Sequence, residues 1–255
     1  CSEEDCAVSF DHAVSRLGWC VQNFRGYQKK ILRDAFFEAF ETYETGCAPV
    51  IQELNSGVRP ERQTELLDRA AEAMLDELSA GWEKKNDMED EKVILAIFFV
   101  PMVRKLQLPV SEEFVTLLQK KWVERYPKSP FYLGDYESIS GGFRKKFLGL
   151  CFITTAVCQE LGKPDDCAEL TAFRAFRDGY LAAQPDGEAL IREYYNIAPG
   201  IVTCINTCSD RHASYERIRE QYLTPCYEDL LAGRNADCKT RYVQMVRDLE
   251  WEYLN

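Results

Sequence analysis

PERQTELLDRAAEAMLDELSAG, residues 60–81, places Leu66, Leu67, Ala70, Met74, Leu75 and Leu78 at intervals that return to one side of a 3.6-residue period. A strand would alternate apolar and polar residues at every second position, and this stretch does not. Pro60 suits a first helical turn, where its missing N–H is not needed, and Gly81 follows the last periodic residue. The stretch predicts a long amphipathic helix.

The same reading extends in both directions. Val14, Leu17, Val21 and Phe24 share a helix face, and Ile31, Ala35, Phe36, Ala39, Phe40 and Tyr43 continue the pattern after Gly26, as two antiparallel helices or one bent one. The charged stretch Glu83 to Lys92 reads as a surface connection, and Val93 to Leu106 as a buried helix bent or broken at Pro101. Ser111, with Glu112 and Glu113 behind it, resembles an N-cap and acidic first turn for a helix that stops before Pro127. The segment 127–142 is rich in proline, glycine and aromatic residues with little periodicity, and is expected to be an irregular connection.

Beyond it, Cys151 to Cys158 favours a strand locally, but a lone strand has no partner here, so helix is expected. Helices follow at Asp165 to Ala182, Gly187 to Asn196, Pro199 to Cys208, Ser214 to Leu231 and Asn235 to Leu254. The expected fold is all-α, a bundle or array of about ten to twelve helices. Its expected parts are an N-terminal half over 1–126, the connection 127–142, and a C-terminal half over 143–255.

Composition excludes several classes. With 255 residues, 46% hydrophobic and 12% aromatic, the chain supplies a large core and is not disordered. A net charge of −11 argues against nucleic-acid binding by phosphate neutralisation, and Arg144-Lys145-Lys146 reads as a solvated helix end. The apolar run Val93 to Val103 contains Pro101 and falls well short of the roughly 20 residues that span a bilayer, so no transmembrane helix is expected. Eleven cysteines beside so much core material point to reduced thiols and a cytoplasmic protein. The chain begins at Cys1; a lipid-anchored N-terminal cysteine is the weaker reading, because Ala7 to Tyr43 already reads as packed helix.

Cys151-Phe152-Ile153-Thr154-Thr155-Ala156, then Phe173-Arg174-Ala175-Phe176-Arg177-Asp178, Gly187, Tyr194-Tyr195 and Pro199 together resemble the CFI-box domain of bacterial proteins, over region 151–199. That family usually has Ala where this chain has Thr154, and it commonly ends the protein, whereas here more than fifty residues follow. Trp122 to Leu249 is also similar to a larger uncharacterised protein group of anaerobic Firmicutes. The resemblance implies a bacterial origin and carries no activity with it.

The cysteines are the sharpest chemical feature. On a helix, Cys151, Thr155 and Cys158 share one face, Cys204 and Cys208 form a second i, i+4 pair, and Cys167 opens the next helix, where the dipole favours thiolate. Four such thiolates can hold zinc tetrahedrally or an iron–sulfur cluster, but no CxxC occurs, and buried unligated thiols are the simpler reading. A nucleophilic Cys151 would need a base, and the two histidines, His12 and His212, read as surface or cap residues. Gly162 and Pro164 are expected to end one helix tightly, placing Cys167 near Cys158 and Cys151 against the helix of Phe173 and Arg177.

Arg174, Arg177 and Asp178 among aromatic residues form either a structural ion pair or an anchor for an anionic ligand; Arg177 is expected to be buried and paired with a carboxylate. Tyr194 and Tyr195 point about 100° apart on a helix, so one belongs to the core and the other to an interface. Two functions fit. The favoured one is a helical module that binds a protein or peptide, through Arg174, Arg177, Asp178, Tyr194 and Tyr195. The alternative is a thiol-dependent metal-binding or redox protein using Cys151, Cys158, Cys167, Cys204 and Cys208.

Overall fold

The structure, a computed structural model, describes residues 3–84, 86–144, 151–207 and 210–255. Cys1, Lys145, Lys146 and Cys208 lie outside them, with the expectations attached to those residues.

The chain is all-α, and the described residues contain no β-strand. Eleven continuous helices of eight residues or more run through them. They are α1 (Glu3–Val14), α2 (Phe36–Gly57), α3 (Gln63–Ala80), α4 (87–105), α5 (Ser111–Arg125), α6 (Tyr136–Arg144), α7 (Phe152–Glu160), α8 (168–181), α9 (Gly187–Thr207), α10 (211–231) and α11 (Asn235–Leu254). None is long and apolar enough to cross a membrane.

Contacts divide the chain into two compact units. The first takes residues 3–28 and Phe37–Ser140, with Thr207; the second takes Lys29–Phe36, Gly141–Asn206 and Asp210–Asn255. In the N-terminal unit α3 and α5 pack together, and Leu67, Met74, Phe98, Phe99, Phe114 and Trp122 are fully buried. The Tyr43 hydroxyl donates to the Cys20 carbonyl at 2.7 Å, and the Trp122 indole to Ser129 O at 2.7 Å, so the buried polar tips have partners.

Several elements differ from expectation for local reasons. Tyr27–Lys30 is a short 3₁₀ turn after Gly26, whose φ of 91° ends the first helical stretch, and α2 begins only at Phe36. The stretch 29–36 instead runs beside α9: Arg33 N–H donates to Asn196 O at 3.0 Å, and Ile31 O comes so close that a Cβ on Gly200 would lie 1.8 Å from it. Helix α9 is one element, with Pro199 inside it rather than between two helices.

Pro101 does not break α4. Leu95–Phe99 widens into a π-turn just before it, which accommodates the ring and the missing N–H. The same device, Arg219–Leu223, precedes Pro225 in α10. Ser111 is already inside α5; its hydroxyl accepts from Leu108 N at 3.1 Å rather than capping the helix. The last part of 127–142 is helix α6, started by Asp135, whose carboxylate accepts the Ser138 N–H at 2.8 Å.

Glu83 to Lys92 is only in part a surface connection. Glu91 and Lys92 are buried on α4. Glu91 accepts from Arg25 Nε and from the Trp82 indole, both at 2.8 Å, and Lys92 donates to Ser129 Oγ at 2.7 Å. Burial pushes the Glu91 carboxyl above its usual range, with Trp82 and Arg25 acting in the opposite direction.

Candidate functional site

The C-terminal unit carries the region around Cys151. Helix α7 begins directly after Cys151, and its C-terminus closes on Gly162 at φ 67°, with Lys163 N–H reaching Cys158 O and Gly162 N–H reaching Gln159 O. This paired closure satisfies the last carbonyls and returns the chain sharply to α8, which packs on α7.

Helix α8 is α-helical over Ala168–Ala175 and then opens into a π-turn, Phe176–Leu181, shown by the Ala182 N–H donating to Arg177 O at 3.0 Å. The wide turn carries Phe176, Arg177 and Leu181, all buried. Arg177 grips its neighbour Asp178 with Nε and Nη2 at 2.7 and 2.8 Å, while Nη1 donates to Cys151 Sγ at 3.5 Å. Burial opposes the guanidinium charge, but Asp178, Cys151 and Tyr195 outweigh it and raise the Arg177 pKa above its ordinary value. Burial also pushes the Cys151 thiol up, and the opposing pull of Arg177 and Arg174 does not reverse it. Burial thus favours the neutral form of the Cys151 thiol, the opposite of what activates a thiol nucleophile.

Tyr194 accepts the Ile153 N–H at 3.0 Å, relieving one donor of the first turn of α7, and Tyr242 of α11 donates to Tyr194 at 3.5 Å. Above this polar floor lies a narrow apolar cleft with an internal volume of about 50 Å³. Phe173, Phe176, Leu181, Leu190, Tyr194 and Val246 supply its walls from α8, α9 and α11. Leu190, Ile191 and Val243 remain half-exposed at the edge, beside the exposed Glu193 and Arg247.

Of the residues singled out in the sequence, Cys151, Arg177 and Tyr194 meet at this cleft. Arg177 is buried and paired with a carboxylate; Tyr194 is core and Tyr195 half-buried, its ring 6.2 Å from Phe152. Arg174 faces elsewhere, donating to Asp165 Oδ1 and to Asp165 O, both at 2.8 Å. Cys158 and Cys167 do approach, Sγ to Sγ at 3.7 Å.

The larger thiol cluster is not assembled among the described residues. Cys151 contacts Arg177 instead, and Cys204, buried on α9, does not belong to the group formed by Cys158, Cys167 and Glu169. His12 pairs with Glu53 and His212 with Glu160, both at the surface. Leu190, Tyr242 and Val246 also line the cleft without having stood out in the sequence, where the i, i+4 spacing of Tyr242 and Val246 on α11 is their one signal.

No family model, curated protein or solved structure matches the chain. The resemblance to the CFI-box domain rests on its residues alone.

Proposed function

We propose that this chain is a helical binding module, and that its C-terminal unit receives one or two apolar side chains from an amphipathic helical segment of a protein partner. The supporting observation is the apolar cleft between α8, α9 and α11. Helix-in-groove recognition needs such a slot, with half-exposed apolar residues at its edge to meet the rest of the helix face. Leu190, Ile191 and Val243 are of that kind. The polar groups in the floor favour a side chain over a polar small molecule. Arg177 is engaged by Asp178 and Cys151, and Tyr194 by Ile153 and Tyr242, so they present few open donors to orient a substrate.

A randomised library of amphipathic helical peptides selected against the full chain tests this reading. Val243→Glu places a carboxylate at the apolar edge and is expected to weaken the selected peptides by at least about 10-fold, a loss of about 1.4 kcal/mol. Val123→Glu, at an exposed position of the N-terminal unit, is expected to leave their affinity unchanged. Selected peptides that bind both variants as tightly as the parent would overturn the assignment.

A further inference from the structure

Outside the cleft, the junction of α7 and α8 gathers three metal-ligand atoms. Cys158 stands near the end of α7, Cys167 immediately precedes α8, and Glu169 lies in the first turn of α8. Their sulfur and carboxylate atoms lie within 4.8 Å of one another, the only such group among the described residues. We propose that Cys158, Cys167 and Glu169 form a zinc site that ties the end of α7 to the start of α8.

The geometry supports zinc directly. Two thiolates about 2.3 Å from a tetrahedral zinc stand about 3.8 Å apart. The Cys158 and Cys167 sulfurs stand 3.7 Å apart, far beyond the roughly 2.05 Å of a disulfide. Two soft sulfurs with one carboxylate oxygen make a mixed donor set that zinc accepts and that magnesium or calcium, which take oxygen ligands, does not. The closely placed thiols elsewhere lack such a third ligand: Cys47 points its S–H at Cys20 O, and Cys226 at Cys238 O.

The local charges also fit a cation. Three acidic groups stand within 4.8 Å of one another here, and such groups resist ionising together unless a cation lies between them. A divalent ion reverses that penalty. On binding, Zn²⁺ forms two Zn–S bonds and one Zn–O bond, and the two S–H protons leave to solvent. The site then carries one net negative charge. Lys163 already holds both Glu169 oxygens, at 2.7 and 2.6 Å, so turning one oxygen to the metal leaves the other for the ammonium. Cys158 and Glu169 also line a small pocket with Leu161, Arg219, Thr224 and Tyr227, from which a water can supply a fourth ligand. Zinc bound here fixes the start of α8, whose later turns carry Phe173, Phe176 and Arg177 into the apolar cleft.

Cobalt(II) titration of the full chain, stripped of metal and reduced with a phosphine, tests the site. One equivalent is expected to give a thiolate-to-cobalt charge-transfer band with tetrahedral visible absorption, both removed by adding one equivalent of zinc. Cys167→Ser and Glu169→Gln change half-buried positions and leave the buried Cys158 in place. Each is expected to weaken zinc by at least about 10-fold, the lower bound for losing even an outer-shell partner. Cys6→Ser, in the other unit, serves as the control and is expected to change nothing. Absence of the charge-transfer band at one equivalent, or a band and affinity that survive both Cys167→Ser and Glu169→Gln, would overturn the assignment. Circular dichroism matching the parent confirms that each variant is folded when read.

Discussion

Arg25→Ala is expected to destabilise the N-terminal unit by about 3 kcal/mol at neutral pH, because it strands the Glu91 carboxylate. Glu91 has no exposed surface, and Arg25 holds it through Nη2 at 2.6 Å and Nε at 2.8 Å, leaving the Trp82 indole as the remaining partner after substitution. The figure lies at the low end for a broken buried pair because Arg25 itself reaches solvent, its side chain 39% exposed. The pH dependence has a definite sign. The folded Glu91 carboxyl sits above its usual range, so its ionisation opposes folding, and the stability it contributes is lost as pH rises from the unfolded carboxylate range through the folded pKa.

Removing Arg25 raises that carboxyl further. The deficit of the variant is therefore largest at neutral pH and shrinks on acidification, as Glu91 takes up a proton. Urea denaturation followed by tryptophan fluorescence, to which Trp19, Trp82 and Trp122 contribute, measures it. Adding Glu91→Gln to Arg25→Ala should recover a substantial part of the loss, since no charge is then stranded. A single variant as stable as the parent at neutral pH would show that Glu91 is not held as described.

Gly187→Ala is expected to cost about 3 kcal/mol or more. A Cβ at this position would lie 1.9 Å from Leu181 O and 2.9 Å from its carbonyl carbon, backbone atoms that cannot rotate away. The reason for glycine here is space: α9 starts at this residue, directly after the turn from α8, and the two helices form adjacent walls of the cleft. The loss should come with weaker peptide binding, since relief of the clash moves α9 relative to α8. Gly141→Ala is the matched control, for nothing lies within 4 Å of the new methyl, and in helix α6 it should be neutral or stabilising by up to about 1 kcal/mol. Equal stabilities for the two alanine variants would contradict the close approach.

The helical architecture was legible because apolar residues such as Leu67, Met74 and Leu78 repeat with the helix period, and burial follows that period in α3. The nearness of Cys158 and Cys167 was legible for the same local reason: Gly162 adopts the positive φ that closes a helix, and the thiols stand only nine positions apart. Glu91 was not legible, because its partner Arg25 stands 66 residues away and a run of charges reads as solvated until that partner is placed. The π-turn at Phe176–Leu181 was hidden as well, since no proline marks it and the period changes by a single residue. The cleft needed three helices to be assembled, and its α11 wall, Tyr242 to Val246, lies beyond region 151–199.

Photocrosslinking reads out whether the α8, α9 and α11 cleft receives a partner's apolar side chains. A library-selected amphipathic peptide carrying a diazirine leucine at its central apolar position is irradiated with the full chain, and the adducts are located by mass spectrometry. Adducts are expected on Leu190, Ile191, Val243 or Val246. Adducts confined to the N-terminal unit, with none on α8, α9 or α11, would contradict it.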